Sequence, residues 1–151
     1  MPNTTGCCWL NRWHIPLPEY LIESRVYIPT MSWEVEYTNE FGEWWASLSE
    51  GEQESLAASV RMLEGRGPTL GFPHSSGISG SKHGHLRELR TQHDGRPYCT
   101  LYAFDPRRSA ILLIGGDKTG NDRWYNANVP IADRLYEEHL EQLRKEGLID
   151  G

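Results

Sequence analysis

The stretch 85-HLRELRTQHDGRPYCTLYAF-104 decides how this chain is read. Strand-forming residues flank Gln92-His93-Asp94-Gly95. Asp-Gly suits a tight hairpin turn, whose central residues take positive φ, so the spacing predicts a β-hairpin. The same stretch gathers Arg87, Arg90 and Arg96. A guanidinium offers a rigid fork of donors, so arginines held on apolar strands suit a surface that meets phosphate or carboxylate. Solvated strand arginines would look the same from this stretch alone. The flanking sequence has to separate the two.

Downstream, Asp105-Pro106-Arg107-Arg108 predicts a turn, and Ala110-Ile-Leu-Leu-Ile114 is apolar enough for a central strand. Gly115-Gly-Asp-Lys-Thr-Gly120 follows. Lys-Thr after glycines at a strand end is like a phosphate loop, but Asp117 stands where the last glycine of Gly-x-x-x-x-Gly-Lys-Ser/Thr belongs. That argues against an NTPase and leaves Lys118 as a cation at the edge of the arginine sheet. From about Asn121 a helical stripe runs through Trp124, Tyr125, Val129, Leu135, Tyr136, Leu140 and Leu143. Pro130 either starts a helix there or kinks a longer one. Asp133, Glu137, Glu138 and Glu141 make its far side acidic, solvated or docked against a basic partner.

Upstream, Trp33-Glu-Val-Glu-Tyr37 alternates like a half-buried strand. Thr38 suits an N-cap before Phe41, Trp44, Trp45 and Leu48. Ser49 and Glu52 form a capping box that opens a second helix, with Leu56, Val60 and Leu63 on one stripe. This helical hairpin is expected to lay its aromatics on the sheet as core. Gly71 to His83, rich in Gly and Ser, reads as a loop. His83 and His85 are an His-x-His pair without a third ligand at convincing spacing, so no metal site is expected. One of His74, His83 and His85 could instead contact phosphate or move a proton. Residues 1–30, broken by Pro2, Pro16, Pro18 and Pro29, read as an extension, partly disordered or lying across a domain of residues 31–151. Pro18 to Val26 could form a short helix, and Met31 could be a translation start.

With 151 residues the chain is most simply one globular domain able to build its own core. No apolar run is long enough to span a membrane, and the N-terminus lacks the pattern of a signal peptide, so a cytoplasmic location and no membrane partner are expected. Cys7, Cys8 and Cys99 fit neither a disulfide framework nor a zinc site. The formal net charge is −6, yet Lys82 to Arg123 carries eight Lys/Arg against five Asp/Glu. This segregation suggests one face for an anionic partner.

The order strand, helix, helix, strand, strand, strand, helix, with His85-Leu-Arg-Glu-Leu-Arg90 and Arg96-Pro-Tyr-x-x-Leu-Tyr-Ala-Phe-Asp-Pro106, resembles the RelE/ParE toxin superfamily. Ile114-Gly-Gly-Asp-Lys-Thr and Ala132-Asp-Arg-Leu-Tyr-x-x-His-Leu140 point most closely to its phage-derived HigB-like branch. The resemblance covers about residues 31 to 146. It implies an α+β fold: a small antiparallel-rich sheet of about four strands, backed by an N-terminal helical hairpin, plus a C-terminal helix. It also implies a type II toxin–antitoxin toxin, a ribosome-dependent mRNA endoribonuclease acting in the A site without cofactor and paired with a helix-turn-helix antitoxin in a hetero-oligomeric complex.

By the same resemblance Arg90, Lys118 and Tyr125 match catalytic positions. Arg87, Arg96, Arg107, Arg108, Arg123 and His85 are candidate RNA contacts. Strand alternation puts Arg87 and Arg90 on opposite faces, and Arg90 is preferred. The family carries a transition-state arginine where this chain has Cys99. Losing that guanidinium could slow cleavage by roughly two to three orders of magnitude. An inactive toxin fold that serves as antitoxin partner or co-repressor, and a ParE-like gyrase inhibitor, are the alternatives.

Overall fold

The computed structural model describes residues 10–13 and 32–150. The suggested helix over Pro18 to Val26 and the start at Met31 lie outside them. The described strands are β1 (Leu10–Arg12), β2 (Val35–Thr38), β3 (Ser75–Gly77), β4 (Arg87–His93), β5 (Arg96–Phe104) and β6 (Ala110–Asp117). They form one sheet in the order β1-β2-β6-β5-β4-β3. Only β2 and β6 run parallel among the paired strands. The helices are α1 (Asn39–Ala46), α2 (Glu50–Arg66) and α3 (Trp124–Lys145).

The α+β class is as expected, but the sheet has six strands rather than about four. Both additions are three-residue edge strands. Ser75–Gly77, read as part of a loop, pairs with β4. Leu10–Arg12, read as extension, pairs with β2. Neither run is long enough to show alternation, so only the neighbouring strand's unpaired backbone groups specify them.

The long elements follow their local chemistry. The hairpin turns at Asp94 (φ 49°) and Gly95 (φ 75°), the positive-φ pair that the Asp-Gly signal demands. The Thr38 hydroxyl accepts from the Phe41 amide at 3.1 Å and donates to the Leu113 carbonyl at 2.7 Å, so one cap also ties α1 to β6. Ser49 and Glu52 complete the capping box of α2. Pro130 lies inside α3, which runs through it as one helix. Its ring removes the backbone donor that would have met the Asn126 carbonyl one turn earlier.

The sheet is the middle of three layers. Phe41, Val60 and Leu63 of α1 and α2 pack with Leu89, Tyr102 and Leu112 on one face. Trp124, Val129, Leu135 and Tyr136 of α3 pack with Cys99, Leu101, Ile111 and Leu113 on the other. A strand covered on both faces should be continuously apolar, and Ala110 to Leu113 of β6 are all buried. Gly115 and Gly116 end that run for a steric reason. A Cβ on Gly115 would lie 2.2 Å from the Trp44 ring, and one on Gly116 would lie 2.4 Å from Trp124 Nε1. The glycines let two indoles close onto opposite faces of β6.

Two acidic positions expected on the open side of α3 differ in use. Asp133 is buried and accepts from Ser81 Oγ at 2.6 Å and the Lys82 amide at 3.0 Å, fastening the loop before β4. Glu137 faces His83 at 3.2 Å. Helical spacing assigned Asp133 to the polar side because it could not anticipate a loop folding back onto the helix.

Candidate functional site

The face of the sheet that meets α3 carries a polar cluster at one end. Arg90 on β4 pairs in register with Cys99 on β5, and Cys99 pairs with Gly116 on β6. Glu88, two residues before Arg90, shares its face. Lys118 leaves the end of β6, pinned by its amide to the Pro97 carbonyl at 2.9 Å. Tyr125 comes from the first turn of α3. Arg90 and Cys99 of the hairpin and Lys118 and Tyr125 of the segment after β6 are therefore brought to the same end of the sheet.

Glu88 is the hub. Ser76 Oγ donates to its Oε1 at 2.7 Å, and the Cys99 thiol donates to Oε2 at 3.4 Å. The Tyr125 hydroxyl donates to the same Oε2, while Lys118 Nζ lies 3.8 Å from that oxygen and donates to Tyr125 Oη at 2.6 Å. Burial by itself would raise the Glu88 carboxyl; hydrogen bonds from Tyr125 and Ser76, with the Lys118 charge, outweigh it and hold the group below its ordinary range. Burial and then the carboxylate push the Tyr125 phenol up, so it stays a neutral hydroxyl. Burial, reinforced by the Glu88 charge, likewise raises the Cys99 thiol. A thiol kept protonated is a poor nucleophile.

A cleft of about 440 Å³ opens beside the cluster, lined by Ile78, Ser79, Glu88, Tyr125, Asn126 and Pro130 among others. Arg90 stands at the same end with its guanidinium 5.2 Å from the centre of the Phe72 ring. Its charge reaches Tyr125, where it favours ionisation against the larger opposing effects of burial and Glu88.

The remaining predicted contacts lie elsewhere. Arg87 is on the opposite face, its Nε donating to Ser75 Oγ at 3.1 Å, as alternation required. Arg96, at the hairpin tip, pairs with Asp117 at 3.3 Å and Glu52 at 3.8 Å. Arg107 is engaged by Asp105 at 2.7 Å and Glu36 at 3.1 Å, and Arg108 lies over Trp33 at 4.8 Å. Both occupy the β5–β6 turn, at the other end of β5 from Cys99. Arg123 and His85 are exposed. The local positive excess is thus reduced, since Arg96, Arg107 and Lys118 already face carboxylates. Among the described residues no group of three His, Cys, Asp or Glu could hold a metal ion. No described helix is long and apolar enough to cross a membrane.

Sequence reasoning missed Glu88 and Ser76. Glu88 had a usable signal, equal parity with Arg90 inside an arginine-rich strand. Ser76 had none, because its place depends on β3 pairing with β4.

Residues 43–137 match the family described as "Phage derived protein Gp49-like (DUF891)". A protein of Mycobacterium tuberculosis named "Putative toxin HigB3" is 43% identical over 98 residues, covering 64% of this chain and 84% of that relative. A second, "Putative toxin HigB2" of the same organism, is 39% identical over 101 residues, covering 66% of this chain and 50% of its own length. No solved structure matches the chain.

Proposed function

Because this chain belongs to the phage-derived Gp49-like family, with HigB-named relatives, we propose that it is the toxin of a toxin–antitoxin pair. Its activity on this reading is metal-independent cleavage of mRNA in the ribosomal A site. The observation that carries the reading is the Lys118–Tyr125–Glu88 cluster beside Arg90, on one face of the sheet and open to a cleft.

Cleavage proceeds by attack of a ribose 2′-oxygen on the adjacent phosphorus. A new P–O bond forms and the bond to the 5′-oxygen breaks, leaving a 2′,3′-cyclic phosphate and a 5′-hydroxyl. One proton leaves the 2′-hydroxyl and one reaches the departing oxygen, so no co-reactant is consumed. Negative charge grows on the non-bridging oxygens, and fixed cations lower that barrier most. Arg90 and Lys118 supply them. Tyr125, accepting from Lys118 Nζ and donating its one proton to Glu88, holds the ammonium in place. Glu88 touches no substrate; it positions Lys118 and Tyr125.

Cys99 supports a second reading, a toxin fold that binds its helix-turn-helix antitoxin without cutting. A buried protonated thiol cannot replace a guanidinium. Separate induction of this chain and of its Cys99→Arg variant, followed by mapping of mRNA ends, tests both. Cuts within translated message by either protein support the ribonuclease. Growth without arrest and intact message in both cases would leave the non-cutting partner. Loss of DNA supercoiling with intact message would point to gyrase instead.

A further inference from the structure

We infer that Phe72, backed by Arg90, is a stacking platform for a nucleobase of single-stranded RNA bound at the cluster; this deepens, and rests on, the ribonuclease reading. Phe72 is 77% exposed, whereas every other described Phe, Tyr and Trp is buried or half-buried. A bare phenyl ring in water is unfavourable, and this one is held there by structure. The His74 and Ser75 amides both donate to the Gly71 carbonyl, at 3.0 and 3.1 Å, and the Arg90 amide donates to the His74 carbonyl at 2.8 Å. The turn that displays the ring is therefore hydrogen-bonded to the strand that carries Arg90.

The Arg90 guanidinium lies 5.2 Å from the ring centre, within range of a cation–π contact. Among the described residues it has no carboxylate partner, unlike Lys118, so its donors are free for an anion. A free guanidinium edge beside an open aromatic face is the pairing that single-stranded nucleic acid uses, phosphate on the cation and base on the ring. An apolar protein partner would ask for a broader patch. Here the neighbours are Pro73, also exposed, and the half-buried His74 and Arg90.

The test uses the full chain and a short single-stranded RNA, 2′-O-methylated throughout so that it cannot be cut, with one 2-aminopurine whose fluorescence drops on stacking. Wild type should quench the probe. Phe72→Ala should abolish the quenching and weaken binding by roughly 5- to 100-fold, the range of losing one stacked base. Phe72→Trp should restore both. Since the ring is exposed, all three proteins should melt alike. Equal quenching and affinity for wild type and Phe72→Ala overturn the platform and leave the ribonuclease reading standing. A wild-type protein that leaves the probe unchanged also overturns it. If that protein or its Cys99→Arg variant still cuts translated message, only the platform is lost; if neither does, both readings fail. Loss of binding to the antitoxin with RNA affinity intact would reassign Phe72 to a protein interface.

Discussion

Cys99 is a single residue on which activity and stability pull in different directions. It is wholly buried, in the same apolar cluster as Trp124, and its thiol donates to Glu88. An arginine there would bring a second guanidinium to the cluster and give the Glu88 carboxylate a second cationic partner beside Lys118. Overfilling a packed site typically costs about 1–3 kcal/mol. Cys99→Arg should therefore raise message cleavage by roughly 100- to 1000-fold while lowering the urea midpoint, read by end mapping and denaturation on one preparation. Unchanged cleavage would remove residue 99 from the chemistry. Gly116 makes a simpler case. Gly116→Ala places a methyl against the Trp124 ring, and the expected loss is about 1–3 kcal/mol in a urea melt. The sequence had offered the glycine pair as a loop near phosphate, yet its requirement is steric, and only knowing where the two indoles fall reveals it.

At the scale of elements, the two edge strands matter out of proportion to their length. Trp13, next after β1, donates its amide to the Val35 carbonyl at 2.8 Å and sets its ring edge-on to Tyr37, Phe41 and Trp45. Truncating a buried aromatic of this kind costs about 3–5 kcal/mol. Trp13→Ala should approach that loss, and a chain begun at Met31 should be destabilised at least as much, both measured by thermal or urea unfolding. Equal stability of the shortened chain would make β1 a passive cover. At the opposite edge, β3 supplies Ser76 to Glu88 and Ser75 to Arg87 and Tyr102. The long elements were legible because they carry period and caps. The edge strands were not, since three residues cannot express a period and their pairing is a property of the neighbour.

Across the whole molecule, α3 is joined to the sheet by apolar packing, by the Tyr125–Glu88 contact at one end and by a buried polar knot at the β5–β6 turn. Asp105 accepts from Arg107 at 2.7 Å and faces His139 Nε2 at 2.8 Å, with both acid and imidazole nearly inaccessible. Burial pushes the Asp105 carboxyl up, but hydrogen bonds from His139 and Arg107 prevail and hold it below the ordinary value of 3.8. A depressed carboxylate contributes stability in full above its unfolded value and loses it as pH falls through the lower folded one. Stability should thus fall as pH drops below about 4, through both Asp105 and Glu88, whose ordinary value is 4.5. Asp105→Asn should be less stable at neutral pH and should flatten the acid limb, as followed by urea melts across pH. An acid limb as steep as wild type would show that the knot does not govern it. Local chemistry in the sequence determined the helices, the Asp-Gly hairpin, the central apolar strand and the set of cations, because caps, turns and periods are written within a few residues. Tertiary structure alone decided which cations are already committed to carboxylates, that Glu88 joins Lys118 to Tyr125, and that Phe72 is left bare beside Arg90. Those relations run between residues distant in the chain, and only sheet register and helix docking set their distances.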